Sequence, residues 1–168
     1  RENQKLNFIK SQLDSSLNNL NYLDTVYFHD ENDFKFFKSN QLEINNIFKN
    51  YKIKEIGFSI YSKKLIKDLL KNKYISSIQL PLNIINNDFS GIKSKKNIVA
   101  RSIFLQGLLI NSKLNINNPI LKKFNYKLLK LVDKKKINLY SLCLNYVLQN
   151  ANVNKIVVGF DNISQLEK

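Results

Sequence analysis

Polar and titratable residues stand at the ends of apolar segments at several places along the chain. They are His29 with Asp30 after LDTVYF, Ser59 in KIKEIGFS, Gln79 in SSIQL, Arg101 with Ser102 in NIVARS, and Gly159 with Phe160 in KIVVGF. An imidazole can donate a hydrogen bond or a proton to a reacting oxygen, and serine and glutamine can hold an amide or a phosphate. Such residues are most often the first solvated residues of loops, so they form a site only if the fold brings the segment ends together.

Apolar segments of strand length alternate with segments of helical periodicity. The pattern predicts strands over 23–28, 52–59, 76–80, 97–102 and 155–160, and helices over 2–20, within 34–51 and 62–73, at 88–95, 124–135 and 141–149, and from Ser164. Ser39 or Asn40 is the predicted N-cap of the second helix, and Ser62 is that of the third. Alternation of this kind is typical of βαβ units with parallel strands, whose carboxyl ends share one ligand-binding edge.

Two folds are consistent with this pattern. The spacing matches a parallel (β/α)8 TIM barrel truncated to about its last five strand–helix units, since a complete barrel needs roughly 250 residues. A flavodoxin-like open sheet of five strands fits the length without loss. No linker rich in proline, glycine or serine divides the chain, so we expect a single domain over residues 1–168.

Composition narrows the setting of the protein. Cys143 is the single cysteine, which excludes a disulfide framework and a multi-thiolate metal site, so we expect no metal and a reducing, cytoplasmic location. No apolar run approaches the roughly 20 residues that cross a bilayer, so we expect no membrane partner. The net charge of +14 includes only two arginines among 27 basic residues, which argues against a nucleic-acid partner and leaves polyanion binding as a weak alternative.

Several segments, taken in order, resemble the aldo/keto reductase family. LNNLNYLDTVYFHD is similar to the helix and fourth strand that end in the family's active-site histidine, and KIKEIGFSIYS is similar to the fifth strand. IQLPLNII resembles the sixth strand with its glutamine, and VARSIFLQGLLI resembles the seventh strand with its loop. LCLNYVLQNANVNKIVVGFDNISQLEK resembles the last helix, the eighth strand and the cofactor-binding helix.

The resemblance implies a carbonyl reductase that uses NADP(H), with NAD(H) as the alternative, on a small-molecule aldehyde or ketone. It gives His29 the role of polarising the substrate carbonyl, and it gives Ser59 and Gln79 contacts with the nicotinamide carboxamide. Ser102 and Leu105 would bind the pyrophosphate, while Gly159, Phe160 and Gln165 would lie along the adenosine. Arg101 stands where an aromatic residue often stacks on the nicotinamide, and a guanidinium can stack there or meet an anion.

Two departures from the family shape these expectations. The segment GFDNISQ lacks the basic residues that commonly bind the 2′-phosphate, and Asp161 would repel that group. The family's catalytic tyrosine, lysine and aspartate belong to strand–helix units that have no counterpart in these residues. We therefore expect an enzyme of this type present as a carboxyl-terminal portion and inactive alone. The alternative is a non-catalytic remnant that binds a nucleotide or a partner through an open sheet. The sequence gives no oligomeric state.

Overall fold

A parallel sheet organises the chain in the computed structural model, which describes residues 2–109, 118–160 and 163. Its strands are β1 (Thr25–Phe28), β2 (Glu55–Ser59), β3 (Ser77–Pro81), β4 (Asn97–Arg101) and β5 (Lys155–Ile156), and they lie in chain order. The helices are α1 (Glu2–Asn19), α2 (Phe34–Ser39), α3 (Gln41–Asn50), α4 (Ile66–Lys71), α5 (Pro119–Lys135) and α6 (Leu139–Leu148). Single 3-10 turns, Glu31–Asp33 and Lys63–Leu65, precede α2 and α4. The predicted α/β class with parallel strands is confirmed.

Residue contacts divide the chain into two compact units. The first comprises Arg1–Gln79 with Ser94–Asn97, and the second comprises Leu80–Lys93 with Ile98–Lys168. His29, Ser59 and Gln79 belong to the first unit, and Arg101, Ser102, Leu105, Gly159 and Phe160 belong to the second. The single domain over residues 1–168 stays a prediction.

One face of the first unit's strands is apolar and packs on α2 and α3. Phe28 stacks on Phe58 of the neighbouring strand with ring centroids 4.8 Å apart. Phe37 of α2 meets both rings edge to face, at 5.4 Å from Phe28 and 5.2 Å from Phe58. Phe37 and Phe58 are fully buried. Aromatic pairs of this geometry contribute beyond their buried area, so this cluster fixes the carboxyl ends of β1 and β2 on the helices.

The opposite face of the same strands is polar. Register pairs Thr25 with Glu55, and it places Tyr27, Gly57 and Ser77 side by side. The Tyr27 hydroxyl lies 2.6 Å from Ser77 Oγ, and Ser77 Oγ donates to the Asn97 carbonyl at 3.3 Å. Since a hydroxyl has one proton, Tyr27 is the donor in the first bond.

This polar row continues toward the amino ends of the strands. Asn97 Nδ2 donates to Glu55 Oε1 at 2.6 Å, and Thr25 Oγ1 donates to Glu55 Oε2 at 3.2 Å. Burial of the Tyr27 phenol raises its pKa above the usual value, and the nearby Glu55 carboxylate adds to the increase. The row therefore holds its strands together with side-chain hydrogen bonds as well as the backbone ladder.

A lysine ties the entry to β4 to the end of α4. Lys96 Nζ donates to the Asn72 carbonyl at 2.7 Å and also to the Ile75 carbonyl. These carbonyls follow the last turn of α4, where a cation meets the negative end of the helix dipole. Desolvation by burial lowers the Lys96 pKa.

Several predicted boundaries differ from the structure. The single helix predicted within 34–51 is divided at Asn40, whose Nδ2 donates back to the Phe36 carbonyl and whose carbonyl accepts from Ile44 N–H. Asn40 is the N-cap position of α3, although its side chain does not cap that helix. Ser62 occupies the predicted cap position, but its hydroxyl makes no cap bond there.

Three predictions in the second unit need correction. The short helix predicted at 88–95 is a pair of turns anchored by the buried Phe89, and no helix forms there. Helix α5 begins at Pro119 rather than 124, because Asn118 Oδ1 accepts from the Ile120 and Leu121 N–H groups. Strand β5 ends at Ile156, so the predicted strand 155–160 is too long. The helix predicted from Ser164 lies outside the described residues.

Helix α6 holds the chain's thiol. Asn138 Oδ1 caps the helix by accepting from Ser141 N–H at 3.2 Å. Cys143 is fully buried, and burial raises the pKa of its thiol to about 11. The residue is therefore a core side chain of this helix.

Candidate functional site

His29 lies directly after β1, at the carboxyl end of the strand, and its side chain is exposed. The next residue, Asp30, accepts from Asn32 N–H at 2.8 Å and so caps the following 3-10 turn. The chain therefore leaves the sheet immediately after the histidine. This position agrees with the predicted place of His29 at a strand end.

Ser59 and Gln79 are brought together by the register of β2 and β3. They are paired residues, and Ser59 Oγ donates to Gln79 Oε1 at 3.2 Å. Ser59 is fully buried, whereas Gln79 is half-buried. The Ile60 N–H also donates to the Gln79 carbonyl at 2.9 Å, which extends the pairing one residue past β2. Ser59 and Gln79, the two residues predicted to contact the nicotinamide carboxamide, thus form one hydrogen-bonded pair.

Glu31 connects the loop after β1 to the loop after β2. Its carboxylate accepts from Tyr61 N–H at 3.2 Å, from Ser62 N–H at 3.4 Å, and from Ser62 Oγ at 3.1 and 3.4 Å. The role of Glu31 was not predicted from the sequence. A contact between residues 30 positions apart in two loops leaves no periodic signal, so local pattern could not reveal it.

Arg101 and Ser102 occupy the end of β4 in the second unit. Arg101 Nη1 lies 3.3 Å from Ser102 Oγ as a donor, and both side chains are half-buried. Ser102 has a φ of 57°, and Leu105, Gln106 and Gly107 follow with φ of 49°, 54° and 83°. Left-handed residues in tight turns can direct several backbone N–H groups to one point, which suits an anion.

Asn83 holds this turn in place, and sequence reasoning missed it as well. Its side chain is fully buried, and Nδ2 donates to the Ser102 carbonyl at 3.1 Å. Its Oδ1 accepts from the N–H groups of Ile85 and Asn86 at 3.0 and 2.8 Å. An asparagine two residues after Pro81 was the available signal, because asparagine often bonds backbone groups in turns.

The predicted adenosine-side residues receive less support from the structure. Gly159 and Phe160 are exposed and follow β5 rather than ending it. Asp161 and Gln165 lie outside the described residues.

The described residues offer no metal centre. Within residues 2–109, 118–160 and 163, no group of three or more histidine, cysteine or acidic side chains could hold a metal ion. The same residues contain no helix long and apolar enough to span a membrane. An open cleft of about 180 Å³ lies near the amino ends of β2 and β3 and is lined by residues that include Lys49, Lys54 and Lys73.

Comparison with known proteins bears on the identity of the chain. Residues 2–168 match the Aldo/keto reductase family. The solved aldo-keto reductase AKR11C1 from Bacillus halodurans, in its holo form, is similar with a TM-score of 0.70 at 22% identity. Glycerol dehydrogenase AKR11B4 from Gluconobacter oxydans gives a TM-score of 0.66 at 18% identity. The likeness covers 95% of this chain but only 56% and 61% of those two chains.

A short match of another kind also occurs. Over 65 residues the chain is 38% identical to the protein translocase subunit SecA of Borrelia garinii. The matched stretch covers 39% of this chain and 7% of that protein. So small a part of that protein carries no functional inference.

The structural likeness agrees with a barrel of parallel strands of which this chain spans somewhat more than half. The match over residues 2–168 shows that the chain belongs to the aldo/keto reductase family.

Proposed function

We propose that the chain is the carboxyl-terminal portion of a cytoplasmic nicotinamide-dependent reductase that acts on small-molecule aldehydes or ketones. Family membership supports an oxidoreductase of this type. NADP(H) is the proposed cofactor, and NAD(H) is the alternative. The single, buried Cys143 agrees with a reducing compartment.

The layer formed by His29, Ser59 and Gln79 is the observation that carries this proposal. Register pairs Phe28 with Phe58 and Ser59 with Gln79, so the position after Phe28 puts His29 level with that pair. All three residues stand at the carboxyl ends of parallel strands, where ligands bind in α/β folds. A histidine level with this pair suits a reaction in which the histidine contacts the substrate carbonyl and the pair binds the carboxamide of the nicotinamide.

The residues fit a nicotinamide carboxamide, which offers one acceptor oxygen and one NH2 donor. Gln79 Nε2 finds no hydrogen-bond partner within the part of the chain that the structure describes, so it is available to donate to the carboxamide oxygen. The bound cofactor supplies the hydride. His29 donates a hydrogen bond to the substrate oxygen, where negative charge develops in the transition state, and such a donor lowers the barrier.

The remaining proposed contacts rest on the family resemblance. The Ser102 and Leu105 turn binds the pyrophosphate, and Arg101 stacks on the nicotinamide or meets an anionic group. Gly159, Phe160 and Gln165 lie along the adenosine. No residue of this chain is assigned the catalytic tyrosine role, so turnover requires a proton donor from the further strand–helix units of the family.

Fluorescence titration of the chain with NADPH and NADH tests cofactor binding. We expect Gln79→Ala to weaken binding by about 1 to 3 kcal/mol, because the carboxamide then loses a partner in a half-buried site. Gln12→Ala, on the exposed face of α1, is the matched control and should leave affinity unchanged. Equal effects of the two substitutions would remove Gln79 from the site.

Steady-state kinetics test the role of His29 in a form of the protein that reduces aldehydes. His29→Ala should lower turnover by roughly 10²-fold or more while cofactor affinity stays nearly intact. Loss of cofactor binding without loss of turnover would refute the assignment. Cofactor binding by a protein that never reduces a carbonyl would favour the non-catalytic alternative.

A further inference from the structure

Glu31 connects the loop that follows His29 to the loop that follows Ser59 through hydrogen bonds. It stands two positions after His29, and its hydrogen-bond partners stand two and three positions after Ser59. The strands that precede these loops are in direct register at Phe28 and Phe58. The Glu31 carboxylate therefore forms a second connection between the carboxyl ends of β1 and β2, in addition to the strand pairing, and this connection lies in the loops.

The geometry concentrates several donors on one carboxylate. The shortest contacts are Ser62 Oγ to Oε1 at 3.1 Å and Tyr61 N–H to Oε2 at 3.2 Å. Glu31 and Ser62 are half-buried, which shields the bond between them from competing water, whereas Tyr61 is exposed. Bonds to a charged acceptor are stronger than those between neutral groups, so the 61–62 turn is held more firmly than an ordinary exposed loop.

The two acidic neighbours of Glu31 do not serve this purpose. Asp30 bonds within its own turn through Asn32 N–H, and Asp33 pairs with Lys5 at 3.1 Å with both side chains well exposed. Exposed ion pairs contribute little to stability. Glu31 alone, among the acidic residues just after β1, reaches the loop that follows Ser59.

We propose that Glu31 is a positioning residue for the cofactor-binding pair. By fixing Tyr61 and Ser62, it limits the movement of the Ser59 strand end and keeps Ser59 and Gln79 in the layer of His29. This role rests on the proposed function. It predicts that loss of the carboxylate loosens the 61–62 turn and weakens nicotinamide binding while most of the fold remains.

The test compares Glu31→Ala, Glu31→Gln and the parent chain in three measurements. Amide hydrogen exchange follows Tyr61 and Ser62, fluorescence titration with NADPH follows the site, and urea unfolding follows the whole fold. Glu31→Ala should speed exchange at both amides by about tenfold or more and weaken NADPH binding by about three- to tenfold. Glu31→Gln keeps one side-chain oxygen acceptor but removes the charge, so it should recover only part of both effects. Glu43→Ala is the control, since Glu43 is an exposed glutamate of α3.

Each outcome decides between explanations. A Glu31→Ala chain that binds NADPH as tightly as the parent would overturn the positioning role and leave the proposed function standing. Equal weakening by Glu43→Ala, or faster exchange throughout the first unit, would mean general destabilisation and would also overturn it. A parent chain that binds neither NADPH nor NADH would overturn the proposed function and this role together.

Discussion

Gly57→Ala is expected to destabilise the first unit because of one contact across β1 and β2. A Cβ built on Gly57 would lie 2.5 Å from Tyr27 Cδ1 and as near to Cε1. Carbon atoms that are not bonded prefer about 3.5 to 4.0 Å, so the ring must move by roughly 1 Å. That movement would stretch the 2.6 Å bond between Tyr27 and Ser77 beyond hydrogen-bonding range.

The magnitude follows from these two effects. Overpacking costs about 1 to 3 kcal/mol, and a lost hydrogen bond adds about 0.5 to 1.5 kcal/mol. The reduced freedom of alanine in the unfolded chain offsets about 0.4 to 1 kcal/mol. Because Tyr27 is half-buried, its ring can partly swing aside, so we expect a net loss of about 1 to 3 kcal/mol in the free energy of unfolding. Urea unfolding followed by circular dichroism measures it.

Two comparisons make this prediction specific. Gly91→Ala is the control, because a Cβ there meets no atom within 4 Å, and it should change stability by less than about 0.5 kcal/mol. In a Tyr27→Val background, Gly57→Ala should lose most of its effect, as a double-mutant cycle would show. Equal losses at Gly57 and Gly91, or an undiminished loss in the Tyr27→Val background, would refute the reasoning.

Three further predictions concern buried or capping groups. Asn83→Ala should cost about 1 to 3 kcal/mol and expose the amides of the 85–86 turn to exchange, whereas Asn87→Ala, at an exposed position, should do neither. Asn118→Ala should cost about 1 kcal/mol in thermal unfolding, because α5 loses its N-cap. Burial raises the Tyr27 pKa, so its contribution to stability is fully present below about pH 10 and is lost as pH rises through the folded-state value. Tyr27→Phe should therefore reduce the loss of stability at alkaline pH. The measurement is made in a Tyr51→Phe background, because the hydrogen bond to Asp14 also raises the pKa of Tyr51.

The strand positions were predictable from sequence because each buried strand is a short apolar run closed by a polar residue. The centres of β1 to β4 agree with the prediction, and His29, Ser59, Gln79 and Arg101 stand at or just past their carboxyl ends. The length of strand β5 was overestimated because VVGF is as apolar as a strand, yet hydrogen bonding to β4 extends only as far as the Val157 N–H. Apolar character indicates a tendency to be buried, and it does not supply a pairing partner.

The polar contacts of the site were less predictable. Polar residues at every second position, such as Thr25 and Tyr27 in β1, carried a visible signal for a polar sheet face. The connection from Glu31 to Ser62 carried none, because it depends on how the loops after β1 and β2 meet in space. Helix α5 shows the same limit at short range, since the capping role of Asn118 was hidden among the neighbouring asparagines of NINNP.

Because the single thiol is buried in helix α6, the rate at which it reacts reports how often that helix opens. With a pKa of about 11, Cys143 exists at pH 8 almost wholly as the unreactive thiol, whereas an exposed cysteine has a pKa near 8.5 and is partly thiolate. A thiol-specific reagent would therefore react with the folded chain only when the helix leaves its place. Since no other cysteine competes, the labelling rate reports the frequency of that single event, without any engineered probe.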